Sequence, residues 1–143
     1  MSARSSIAKV LATRLALIDG TGTFGSSLHQ NNILTKLVYW DEVSDFPTVC
    51  IIPGSETREY HPGGFKWGYL NIALKVYVQG EDSLELLELL LEDIEEVISS
   101  LEVLEYSTGK HTTEILITGI TTDEGLLAPY GVGEMNLQVR YEV

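Results

Sequence analysis

Gly20-Thr21-Gly22-Thr23-Phe24-Gly25 spells a literal GxGxxG. In a dinucleotide-binding fold such glycines join a strand to a helix, so that the backbone can approach a pyrophosphate at the helix N-terminus. The flanks do not suit that use. Ile7 to Ile18 carries apolar residues at helical spacing where a strand is needed, and Ser26, His29, Gln30 and Asn31 follow where a helix is needed. A loop is the expectation; a small nucleotide- or ligand-binding enzyme using Gly20–Gly25 is the rival.

The remaining reactive side chains lack the spacings that chemistry requires. His29, His61 and His111 lie far apart, none at zinc spacing from Cys50 or from another histidine. His61, beside Pro62-Gly63-Gly64, reads as a loop residue rather than a base. No GxSxG elbow accompanies the serines. Glu85, Glu88, Glu92, Glu95 and Glu96 recur at helical steps without the loop that a calcium site needs, and read as a charged helix face. No catalytic residue, cofactor or metal is expected.

The totals narrow the class further. Among 143 residues, 21 are acidic and 9 basic, for a formal net charge of −12. Phosphate backbones demand the opposite sign, so general affinity for nucleic acid is not expected. The single cysteine excludes an internal disulfide and suits a reducing compartment. Within Val49-Cys50-Ile51-Ile52 it reads as a small buried hydrophobe. No signal peptide and no run of about 18 apolar residues is present, so no membrane association is expected.

The elements that must position these residues centre on Leu70–Leu101. Leu70, Ile72, Leu74, Val76 and Val78 alternate with wettable residues, which predicts a strand with one apolar face. Gly80 breaks it, and Glu81-Asp82-Ser83 offer capping side chains. Leu84, Leu87, Leu91, Ile94, Ile98 and Leu101 then recur at steps of three and four. Leu86, Leu90 and Val97 widen the stripe, predicting a helix with an apolar face opposite the glutamates. Leu89 stands apart from that stripe and suggests a subunit contact. The acidic face meets bulk water or repels a polyanion.

Elsewhere, Ser5 and Ser6 can cap a first helix ending near Asp19-Gly20. Ile33–Trp40 is a possible strand, and Thr48–Ile52 a short buried one closed by Pro53-Gly54. Gly54–Gly64 and Thr122–Gly133 read as long loops, Glu102–Thr112 as a weak region with a turn. Thr113–Thr121 and Met135–Val143 are the remaining strands. These elements predict one α+β domain over residues 1–143. It is a two-layer sandwich, an antiparallel sheet of about four strands with both helices on one face. The other sheet face, with Lys75, Tyr77, Gln79, Asn136, Gln138 and Arg140, is solvated or a wet interface with another copy.

The pattern as a whole resembles the tail terminator (tail completion) proteins of long-tailed bacteriophages, the lambda-type family. It rests on the helix Ile7–Ile18, the strand Phe46–Pro53, the polar GSETREYHPGG, the strand GYLNIALKVYVQG, the leucine/glutamate helix and the closing EMNLQVRYEV. The resemblance implies a structural virion protein, assembled in the host cytoplasm. Such a protein forms a homohexameric ring that caps the tail tube protein, ends polymerisation and provides the joint to the neck or head-connector protein. DNA would pass through without specific binding, and an acidic wall would let it slide. Arg58, Tyr60, His61, Leu126, Leu127 and Tyr130 would be contact positions. A neck or head-to-tail joining protein, or a tube subunit, is the alternative within the class.

Overall fold

The computed structural model describes residues 2–101 and 103–143, so Glu102 of the expected weak region lies outside the described residues. Helix α1 spans Ala3–Leu15, and the Ser2 hydroxyl accepts the Ser5 N–H at 3.1 Å as its cap. The expected caps Ser5 and Ser6 therefore lie inside the helix, which stops short of Asp19. Ile7, Ala8, Leu11 and Leu15 form its buried stripe.

The possible strand Ile33–Trp40 contracts to β1 (Ile33–Leu34). Beyond it the chain is drawn across the next strands: the Val38 carbonyl accepts the Tyr77 hydroxyl at 2.7 Å and the Cys50 thiol at 3.8 Å. Strand β2 spans Thr48–His61 and β3 spans Phe65–Gln79, paired antiparallel from Thr48↔Tyr77 to His61↔Phe65. The long loop expected at Gly54–Gly64 is thus overturned. Pro53-Gly54 does not end the strand, because a register shift between Pro53 and Glu56 absorbs it as a bulge. β1 covers only Val49 and Cys50, so the missing Pro53 N–H falls on a sheet edge where no ladder bond is lost. The actual turn is Pro62-Gly63-Gly64, with both glycines at positive φ (+85° and +79°).

Helix α2 spans Ser83–Ser100 and buries Leu87, Leu90, Leu91, Ile94, Val97 and Ile98. Asp82 takes the capping position without a side-chain bond. Leu84 and Leu86, expected in the buried stripe, are exposed. Strand β4 is Glu105–Ser107, β5 Lys110–Thr122 and β6 Tyr130–Glu142. The expected loop Thr122–Gly133 shrinks to residues 123–129, because Gly131 and Gly133 belong to β6. They are small where α2 presses on the sheet: a Cβ at Gly131 would lie 2.7 Å from Val78 Cγ2 and 2.9 Å from the Ser83 carbonyl oxygen.

Among the described residues the sheet has six strands, in the order β1-β2-β3-β6-β5-β4, rather than about four, and β1 pairs parallel with β2 in a sheet expected to be antiparallel. The strands beyond those four are β1, the remnant of the possible strand Ile33–Trp40, and β4, whose three residues are too few for alternation to reveal. Both helices contribute to one core with Val49, Ile51, Leu70, Ile72, Leu74, Val76, Met135, Leu137 and Val139. These residues alternate along their strands, so one face of the sheet carries the core.

Candidate assembly surfaces

The structure separates the expected contact residues into two groups. Arg58, Tyr60 and His61 lie at the β2–β3 hairpin end. Leu89, Leu126, Leu127 and Tyr130 gather at the opposite end, where β3 stops at Gln79 and pairs with Tyr130. Fourteen residue steps along β3 separate Phe65 from Gln79, about 46 Å at strand rise.

At the hairpin end, strand alternation sorts the side chains. Arg58 pairs across from Gly68 and Tyr60 from Lys66, on the face that carries Leu70. Glu59, His61, Phe65, Trp67 and Tyr69 take the other face. The Arg58 guanidinium donates to Glu56 at 2.7 Å, a contact that holds its pKa above the ordinary arginine value. The Glu56 carboxylate also accepts the Tyr141 hydroxyl at 2.6 Å and has 6 % side-chain exposure. Burial, with Glu56 as neighbour, pushes the Tyr141 phenol up to about 12. Arg4 of α1 closes the cluster, donating to the Gly54 carbonyl with its Nε 4.0 Å from Glu56. Arg58 is therefore held in place, whereas Tyr60 is 69 % exposed with the Lys66 ammonium 5.4 Å above its ring. His61 Nε2 lies 2.5 Å from Glu59, and its ring meets Phe65 edge-on. Phe65 packs on Trp67 at 5.1 Å, and the Arg140 guanidinium covers Trp67 at 4.8 Å.

Phe65 and Trp67 did not figure among the expected contact residues. The signal was available: Phe65, Trp67 and Tyr69 recur at a period of two of their own, on the face opposite the Leu70–Val78 row.

At the other end, the Asp123 carboxylate folds the 123–129 loop by accepting the N–H groups of Leu127 at 3.0 Å and Val132 at 3.1 Å. Leu126 stands out at 85 % exposure, while Leu127 is half-buried. Tyr130 packs between Trp40 (5.2 Å) and Phe46 (5.8 Å), so it is tied into the fold as well as placed at its end. Leu84, Leu86 and Leu89 are 42, 39 and 38 % exposed on the first turns of α2.

The glycine-rich passage is a loop. Its Gly25 and Ser26 N–H groups donate to the buried Asp93 carboxylate at 3.2 and 2.7 Å, and Thr23 donates to Glu96 at 2.5 Å. Two N–H groups at the end of the loop are thus bonded to a side chain of α2. On the open sheet face Lys75 donates to Glu134, which lowers the Glu134 pKa, and Arg140 lies 3.7 Å from Glu114. Burial pushes Tyr77 up to about 12 and raises the Cys50 thiol. Among the described residues, no group of three or more His, Cys, Asp or Glu could hold a metal ion. Among them, too, no helix is long and apolar enough to cross a membrane.

Comparison with known proteins places this arrangement. The structure superimposes on a chain from the virion of a native gene transfer agent particle with a TM-score of 0.63 at 8 % identity, covering 96 % of this chain and 95 % of that one; the fold is shared. In sequence the chain is 36 % identical over 154 residues to the tail tube terminator protein p142 of Escherichia phage T5, covering 99 % of this chain and 95 % of that protein. The family model described as Bacteriophage Tail Tube Terminator Protein matches residues 1–143. The chain belongs to the bacteriophage tail tube terminator protein family.

Proposed function

We propose that this protein caps the phage tail tube as a ring of six copies, ends tube polymerisation and provides the joint to the neck or head connector. It is a structural virion component, not an enzyme, assembled in the host cytoplasm. One observation carries the reading. A single continuous sheet holds two unlike sets of exposed side chains about 46 Å apart, aromatic and cationic at one end, leucine and carboxylate at the other. A cap between two different neighbours needs such a pair of ends. Side-by-side copies would meet through heterologous contacts that close by rotation. DNA would pass through the ring without specific binding, since the net charge of −12 opposes retention of a polyanion.

Native mass measurement of the purified protein tests the ring. Six copies that do not stack support the cap; continuous stacking would identify a tube subunit instead.

A further inference from the structure

Three segments meet at the sheet end away from the hairpin: residues 40–47 ahead of β2, 80–89 at the start of α2, and 123–129 between β5 and β6. Together they hold nine aspartates and glutamates and no lysine or arginine, leaving 12 acidic and 9 basic residues for the rest of the chain. Most of the net charge of −12 is therefore concentrated at one end. These carboxylates surround apolar surface. Leu84, Leu86, Leu89 and Leu126 are all exposed there. Between α2 and the Phe46-Pro47 segment lies a cavity of about 250 Å³, with Val78 and Leu90 at its base and Leu86 and Leu89 on its wall. Glu81, Glu85 and Glu88 line a second groove with Leu84, and Glu85 and Glu88 immediately precede Leu86 and Leu89 on α2.

We infer that the Leu86/Leu89 cavity receives an apolar side chain flanked by lysine or arginine, presented by the virion protein that meets this end of the cap. The cavity fits an apolar anchor, and the carboxylates next to Leu86 and Leu89 on α2 fit cations beside that anchor. Nucleic acid carries the wrong sign for these carboxylates. A second copy is disfavoured by placement. The chain's own combination of aromatics and cations, exposed Tyr60 and Phe65 with Arg58 and the half-buried Lys66, stands at the far end of the sheet. Seating it on this cavity would join copies end to end and occupy the end that the capping reading leaves for a different neighbour. The inference rests on the capping reading.

The test uses the intact protein with two purified particles, tail tubes and DNA-filled heads, both from infections lacking this protein. Cosedimentation compares wild type with the double variants Leu86→Gln/Leu89→Gln and Glu85→Lys/Glu88→Lys, all at exposed positions. Wild type is expected to bind, with binding to one particle weakening as salt rises. Both variants should keep the wild-type oligomer mass and lose affinity for that particle by about tenfold or more, the effect of removing an interface anchor. Unchanged binding by both variants overturns the inference. So does loss of oligomer mass, which would place the cavity between copies. Failure of wild type to bind either particle would overturn the capping reading itself.

Discussion

The Ser26 N–H donates to Asp93 at 2.7 Å, joining a glycine-rich loop to the middle of a helix 67 residues further on. Asp93 is 4 % exposed and accepts the Gly25 N–H as well. A buried carboxylate with two backbone donors locks the loop against α2, and its removal strands both donors. Asp93→Ala is expected to cost about 2–4 kcal/mol in urea unfolding, with new protease cutting between Asp19 and Ser27. Asp93→Asn keeps an acceptor oxygen and should cost less.

Gly131 lets α2 approach the sheet more closely than any side chain would allow. The Ser83 carbonyl that a Cβ would strike is backbone and cannot rotate away. Gly131→Ala should therefore destabilise by about 1–3 kcal/mol, read as a lower thermal midpoint. Gly63→Ala offers a contrast: nothing lies within 4 Å there, so its cost would come from the positive φ alone.

Tyr141 ties the last strand to the hairpin through Glu56. Tyr141→Phe leaves a nearly buried carboxylate with one partner fewer, at an expected cost of about 1.5–3 kcal/mol. Since Arg58 and Arg4 still face Glu56, Glu56→Gln with Tyr141→Phe should cost less than the sum of the single changes, measured as a double-mutant cycle.

Glu134 supplies a pH dependence whose sign is fixed. Its folded pKa lies below the ordinary 4.5 because Lys75 donates to it. The stabilisation is therefore present above 4.5 and lost as pH falls through the lower folded value. The pair is about one-third exposed, so the effect should stay below about 1 kcal/mol. Lys75→Met should flatten the acid limb of the stability curve by that amount; an unchanged limb would remove the pair from the cause.

Much of this fold was legible in the residues. The two helices, the alternation of Leu70–Val78 and that of the last strand all appear in place, because long periodic segments report directly on burial. What misled were glycine and proline. Pro53-Gly54 read as a strand end, yet a bulge on a sheet edge carries the strand to His61. Gly131 and Gly133 read as loop, yet they are strand residues kept small for α2. Both facts depend on a neighbour that sequence distance conceals. The same blindness hid the hairpin's aromatic row and left Leu84 and Leu86 assigned to the core, since only the sheet's end decides where a helix stripe stops being covered. Tyr60, Leu89 and Leu126 could be picked out in the sequence and are exposed, but the two opposed ends at which the fold sets them could not.

The most direct measurement is the length of tail tubes polymerised from purified tube protein with and without this protein, counted by electron microscopy. Growth should stop on addition, with the protein found only at tube ends. Tubes that lengthen at the same rate, or that carry the protein along their sides, would contradict a capping role.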